Sequence, residues 1–311
     1  MSKTLLITLG FLFAAGVLIT ISVSGGEETE PAPVVREAIN LTLLLDLSDR
    51  ISPAEHPDQW TRDTAMISVI GKYFREKVKS ELYLNSADQF RILVAPQPTG
   101  NENALSANLD QLDLDLSSVP AVQKKRETDR FFAGFRPSTN SLYQSAVSEP
   151  TFAGADIWRF MAFDLTRYFV PSSPTVKVRN ILIILTDGYI QFESRFLAGR
   201  PADEHFQSWM SAEKVIRDPR LKAQIANGES GLIPVNLKDQ KWEVIVAEFR
   251  QKNQLNPSER QILEDYWTNW MKSSKVQRFE MIPGEGSIQS ASRQVTNFLN
   301  KKGDSFAQER Q

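Results

Sequence analysis

No cysteine occurs in the 311 residues of the chain. Its absence excludes disulfides, thiolate nucleophiles, iron–sulfur clusters, zinc ribbons and lipid attachment through a cysteine sulfur. Histidine is scarce as well: only His56 and His205 occur, too few for a multi-histidine zinc centre. A surplus of basic charge is also missing. Lys and Arg number 36 against 38 Asp and Glu, a formal net charge of −2, whereas a nucleic-acid footprint requires a basic excess. The expected partners therefore include no nucleic acid. The sequence also carries no Gly-x-Ser-x-Gly elbow, no P-loop and no Gly-x-Gly-x-x-Gly. Without the local geometry those motifs provide for nucleophiles and phosphates, the sequence reads as that of a binding protein, not an enzyme. A bound metal would have to be held by oxygen atoms.

Hydrophobic residues make up 41% of the chain and charged residues 24%, the balance of a chain with enough apolar surface to form a core. The N-terminus stands apart. From Thr4 to Gly26 there is no charge, and Leu5–Val23 is apolar apart from Thr, Ser and Gly. About 20 such residues at a helical rise span a hydrocarbon core of roughly 30 Å. Lys3 precedes the segment, and Glu27, Glu28 and Glu30 follow it. That asymmetry keeps the N-terminus in the cytoplasm and exports the body. Residues 1–26 read either as an uncleaved anchor, which suits their length, or as a signal peptide cut near Ser22-Val23-Ser24. A buried core helix would show a polar stripe, which this segment lacks. The chain is thus expected to meet the membrane through residues 4–26. Its body is placed outside the cytoplasm, periplasmic or at the cell surface, and secreted if the segment is cleaved.

Residues 27–38 are acidic and contain Pro31 and Pro33, as a linker would. From Ile39 the pattern alternates. Leu41–Leu45 is a continuous apolar run ending in Asp46, which suits a strand buried on both faces. Thr64–Leu82 has helical spacing in Ile67, Ile70, Phe74, Val78 and Leu82, and Phe90–Ala95 is a second strand. Leu112–Leu116 alternates with period two, as an edge strand does. Val119–Phe132 allows a helix, and the polar stretch onward to Pro150 reads as irregular. Helix returns at Asp156–Phe169, strand at Asn180–Leu185 and Trp242–Phe249. A helix at Pro257–Met271, a strand at Val276–Ile282 and a helix at Ser287–Leu299 complete the body. This order predicts an α/β fold with a doubly wound, mainly parallel sheet flanked by helices. One domain is expected over residues 39–300, with insertions near 96–150 and 189–240 and a polar tail at 301–311.

In a doubly wound sheet, ligands bind beyond the carboxyl ends of the strands, where the winding reverses. Two apolar strands here end in acids, one in Asp46-Leu47-Ser48-Asp49-Arg50 and one in Thr186-Asp187-Gly188. If those strands are neighbours, Asp46 and Asp187 face each other, and two close carboxylates repel unless a proton or cation lies between them. A hard divalent ion meets that need with oxygen ligands and retained waters. Arg50, a fixed cation beside the pair, meets it without metal.

Asp-x-Ser-x at the end of a first apolar strand, with a later strand ending in Thr-Asp-Gly, resembles the von Willebrand factor type A (vWA) family and its metal-ion-dependent adhesion site. The family pattern is Asp-x-Ser-x-Ser, a Thr in a middle loop and a later Asp. Asp46, Ser48 and Asp187 match it. Arg50 stands at the second Ser, and in Phe152-Ala153-Gly154-Ala155-Asp156-Ile157 Ala155 stands at the Thr, which leaves Thr151 or Asp156 to compensate. The resemblance implies a site for Mg²⁺, or Mn²⁺ or Ca²⁺, on Asp46, Ser48 and Asp187, with Asp156 and Thr151 as further ligands. It also implies a protein partner engaged through an acidic side chain. Two other readings stay open. One is a metal-free envelope component that uses the same fold as a docking surface, supported by Arg50 and Ala155. The other is a metal-dependent hydrolase drawing on His56 or Asp49 as a base. The blander expectations are that Asp49 is solvated, His56 is incidental, Lys124-Lys125-Arg126 forms a solvated face and the tryptophans are packing residues.

Overall fold

Eight consecutive buried residues bring β1 (Arg36–Leu45) to its C-terminal end, and this double-sided burial requires cover on both faces of the sheet. The structure, a computed structural model, describes residues 35–95, 109–148, 155–190, 206–210, 215, 217–252 and 257–301. The expected membrane segment at 4–26 and the candidate ligand Thr151 lie outside the described residues. Among the described residues, no helix is long and apolar enough to cross a membrane. β1 begins at Arg36, inside the stretch read as linker.

After β1 come α1 (Gln59–Ser80), β2 (Gln89–Val94), the short β3 (Asp113–Asp115) and α2 (Ala121–Ser148). A helical run then changes from α at Ile157–Arg159 to π at Phe160–Asp164 and 3-10 at Leu165–Tyr168. β4 (Val176–Leu185) follows, then a two-stranded sheet of β5 (Phe206–Gln207) and β6 (Gly231–Leu232) around α3 (Pro219–Ala226). β7 (Trp242–Phe249), α4 (Pro257–Ser273), β8 (Arg278–Pro283) and α5 (Ile288–Asn300) close the body.

The large sheet has the order β3-β2-β1-β4-β7-β8. All its pairings are parallel except that of the edge strand β3, which runs antiparallel to β2. The mixed α/β architecture with a mainly parallel sheet is the one the strand–helix alternation predicts. Winding runs outward in one direction from β1 through β2 to β3, and in the other from β4 through β7 to β8. The reversal therefore lies between β1 and β4.

Alternate residues of each strand serve the two faces. Leu41, Leu43, Leu45, Ile181, Ile183 and Ile245 pack with α1, α2 and α5 through Ile70, Phe74, Phe135, Val295 and Phe298. On the other face Leu44, Leu182, Ile184, Val244 and Val246 meet the 157–168 run and α4, including Trp158, Trp267 and Trp270. Each such fully buried side chain contributes roughly 1.5–3 kcal/mol. The three indoles also donate to backbone oxygens, Trp158 and Trp270 both to Ile233 and Trp267 to Gly188. They are packing residues that carry a satisfied polar end.

The sequence reading and the fold part company in α2, which continues to Ser148 where the polar composition predicts an irregular segment. Polar residues and Pro137 obscure its stripe, yet Phe131, Phe135, Leu142, Tyr143 and Ala146 fall on one buried face. The Thr139 hydroxyl donates to the Phe135 carbonyl at 2.8 Å. Tertiary burial outweighs the proline penalty. Lys124, assigned to a solvated face, is instead buried, with its ammonium on the Ser86 carbonyl at 2.5 Å.

α5 is held at both ends. Ser287 caps its start, accepting from the Ser290 amide at 3.2 Å. At its other end Arg179 donates to the Leu299 and Lys301 carbonyls, and Arg278 to those of Phe298 and Lys301, while both guanidiniums share the buried Glu243. Ser287→Ala is expected to lower the unfolding free energy by about 1 kcal/mol, read from the urea midpoint with the slope unchanged.

Candidate functional site

The site begins where two neighbouring strands stop. Leu45 of β1 is in register with Leu185 of β4, and adjacent strands lie roughly 4.8 Å apart. The Asp46 amide continues the ladder by donating to the Leu185 carbonyl at 3.0 Å, and the Thr186 amide donates to Ala247 at 3.1 Å. Asp46 and Asp187 therefore emerge side by side at the reversal of winding. Asp46 is 1% exposed. Its Oδ1 accepts from the Ser48 amide at 3.0 Å and its Oδ2 from the Thr186 hydroxyl at 2.7 Å. The same Thr186 oxygen accepts from the Gly188 amide at 3.1 Å, which fixes the turn that presents Asp187.

Asp187 is partly buried, and its Oδ1 accepts from the Tyr189 amide at 3.1 Å. Among the described residues no group donates to its Oδ2 and none is hydrogen-bonded to the hydroxyl of the buried Ser48. Burial, and next the charge of Asp46, push the Asp187 carboxyl up to about 7. Gly188, with φ +96°, lets the chain leave this corner. A Cβ there would come within 2.5 Å of the Phe249 ring, so both the conformation and the space require glycine.

Arg50 takes a different partner from the one its sequence position suggests. It is 2% exposed in a 3-10 turn, Asp49–Ile51, and forks onto the fully buried Asp63 of α1 at 2.8 and 2.9 Å. Gln59 and the Tyr143 hydroxyl also donate to Asp63, each at 2.8 Å. Toward Asp46 the guanidinium offers one bond, to the backbone carbonyl at 2.9 Å. Burial opposes the Arg50 charge, but Asp63 outweighs it and holds the proton more firmly than usual. The positive charge of Arg50 is thus matched by Asp63 before either site carboxylate.

The remaining candidates scatter. Asp156 is buried and caps the 157–168 run, accepting from the Arg159 amide at 2.9 Å. Ala155 packs in the core beside it. Asp49 is half-exposed, with the Lys252 ammonium at 3.5 Å. His56 lines a pocket of about 20 Å³ with Asp187, Arg50, Gln59, Arg250 and Lys252, room for about one water-sized group. Burial, and next the charge of Arg250, lower the His56 pKa. Among the described residues no three His, Asp or Glu side chains gather so as to hold an ion. Any cation here would rest on two carboxylates and hydroxyls.

The site also recruits Asp63, Gln59, Tyr143, Arg250 and Thr186, none of them assigned a role from the sequence. Asp63 did carry a signal. It lies on the same helical face as Ile67, Ile70 and Phe74, where a charge has no place unless it is paired. Glu248 repeats that logic at the end of β7. It is fully buried and held by a fork from Arg62 at 2.7 and 3.0 Å.

No family model matches the chain, and no curated protein matches it. Among solved structures it is similar to the crystal structure of the TFIIH p34 N-terminal domain. Identity is 8%, the TM-score 0.29, and the match covers 84% of this chain and 96% of that one. A score that low carries no argument about function.

Proposed function

We propose that this chain is a membrane-anchored, extracytoplasmic interaction module of the vWA type, and not an enzyme. It would capture a protein partner through a divalent cation at the top of its sheet. The sheet order, with Asp46 and Asp187 side by side at the reversal of winding, supports the family reading. The observation that carries the metal reading is one of charge. Arg50 is engaged by Asp63, and among the described residues no cation is bonded to the carboxylate of Asp46 or Asp187, although Arg50 and Lys252 lie near enough for their charges to act on Asp187.

The donor chemistry suits a hard ion. Asp187 Oδ2 and the Ser48 hydroxyl are without described partners, Asp46 retains lone pairs, and no sulfur ligand is present. Asp46, Ser48 and Asp187 would hold Mg²⁺ or Mn²⁺, with water in the remaining positions. When bound, the ion supplies an open coordination position for a partner carboxylate. The chain itself orients the set. Thr186 and the Ser48 amide fix the Asp46 carboxylate, and the Arg50–Asp63 pair braces the loop that bears Ser48. Arg250 and Lys252 beside the pocket add positive charge that favours an acidic partner.

Calorimetric titration of the full chain with Mg²⁺, and spin-resonance titration with Mn²⁺, test this reading. Saturable binding that falls at least tenfold in Asp187→Asn is expected. No binding of either ion removes the metal from the proposal. In its place stands metal-free docking, favoured by an Asp187 carboxyl that takes up a proton near neutrality. Partner capture that persists in chelator would mark that second reading.

A further inference from the structure

Among the described residues five large hydrophobic side chains are exposed: Val35, Leu82, Leu84, Val122 and Phe163. Four of them gather at the end of the sheet opposite the carboxylate pair. Lys77 in the last turn of α1 reaches the Glu37 carbonyl at the start of β1, at 3.2 Å. Lys124, at the start of α2, holds the Ser86 carbonyl beyond the α1 turn, and Lys125 lies 5.9 Å from the centre of the Tyr83 ring. These contacts bring together the point where the chain enters the fold, the turn after α1 and the first turn of α2. Leu82 is 72% exposed, Leu84 53%, Val122 86% and Val35 53%.

The turn is also strained. Leu82 and Tyr83 have φ of +55° and +60°, a left-handed pair that glycine or asparagine adopts without steric cost. Two large side chains stand there instead. The leucine contributes little to the core, since it points into solvent, while Tyr83 packs on the core edge. A strained backbone that presents an exposed leucine suits a surface whose role is contact. The half-exposed Lys79 and the exposed Lys125 rim it, long side chains that can lie along apolar surface with their charge in water.

The position of this patch names its occupant. Val35 is itself part of it, and residues 27–34, at most roughly 30 Å when fully extended, separate Val35 from the uncharged segment 4–26. We propose that the turn Leu82–Leu84, with Val122, docks into the interface of a lipid bilayer. Tyr83 and the lysines then lie at headgroup level, where such side chains are stable. This rests on the reading that residues 4–26 reside in the membrane. The consequence is an orientation. β1 is ten residues long, about 33 Å at strand rise, so the Asp46–Asp187 end points away from the lipid toward a partner in solution.

The absence of cysteine permits a direct test. Leu84→Cys, Val122→Cys and Asp49→Cys in the full chain each give one thiol for an environment-sensitive fluorophore. The labelled chains are incorporated into vesicles of phosphatidylcholine and phosphatidylglycerol at 3:1, with a nitroxide on the lipid. Flotation with the vesicles, at least twofold quenching at positions 84 and 122 and none at 49 are expected. Flotation with no more quenching at 84 and 122 than at 49 overturns the docking and leaves the membrane segment standing. Failure to float overturns both. Shielding of position 84 from iodide without lipid quenching gives the patch to a protein neighbour and also overturns the docking. Leu82→Gly separates contact from folding: quenching at 84 should fall by half or more while the unfolding midpoint stays at or above that of the parent. A lowered midpoint would make the leucine a folding residue and overturn its assigned role.

Discussion

Arg50→Ala is expected to lower the unfolding free energy by about 3–5 kcal/mol, the cost of leaving a buried charge without its partner. Asp63 is fully buried, and Arg50 supplies both of its charged hydrogen bonds. Gln59 and Tyr143 remain as donors to Asp63 after the substitution, but neither carries charge. The double variant Arg50→Ala, Asp63→Asn should recover part of the loss, because the amide carries no charge to desolvate: its Oδ1 can still accept from Gln59, and the Tyr143 hydroxyl, which met the other carboxylate oxygen, can turn to accept from its Nδ2. Urea unfolding of the three proteins at pH 7.5 gives the comparison. A loss below 1 kcal/mol for Arg50→Ala would mean that the guanidinium is not committed to Asp63. It would then be free to serve Asp46 and Asp187, and the case for a cation there would fall with it.

This network explains how far the sequence can be read. The runs Leu41–Leu45 and Asn180–Leu185 announce doubly buried strands because nearly every position is apolar, and the acids that end them announce the site. Trp242–Phe249 is legible for the same reason: all eight of its residues are buried. α2 is obscured because its buried face includes Lys124, Thr128, Ser138 and Thr139; Lys124 and Ser138 are satisfied by Ser86 and Gln111 from elsewhere in the fold, and Thr128 and Thr139 by carbonyls one turn back in the helix. Arg50 reads from the sequence as a cation near the carboxylates, yet its choice of Asp63 depends on how α1 lies against the loop after β1. No spacing in the sequence encodes that angle. His56 reads as incidental, and the fold brings it into the small pocket beside Asp187 from a loop whose path has no periodic signature.

The second large effect concerns protons at Asp187. Most native carboxylates stabilise a fold as pH rises, since their folded pKa lies below the unfolded one. Asp187 behaves oppositely. Its carboxyl is pushed up to about 7 by burial and by Asp46, above its value in the unfolded chain. The folded protein therefore holds this proton more tightly than the unfolded protein does. Its contribution is fully present below pH 4 and is lost as pH rises toward 7, by an amount of order 1–4 kcal/mol. Asp187→Asn removes the titrating group, so the difference in unfolding free energy between parent and variant should shift across pH 4–7 and level off above it. A divalent cation competes for the same carboxylate. Below pH 7 the apparent Mn²⁺ affinity should weaken about tenfold per pH unit, as one displaced proton requires, and added Mg²⁺ should raise the parent's stability above pH 7 while leaving Asp187→Asn unchanged. A parent and variant with parallel stability profiles would show that Asp187 titrates as an ordinary surface acid. The pair at the strand tips would then need neither proton nor metal, because solvent would already separate the two charges.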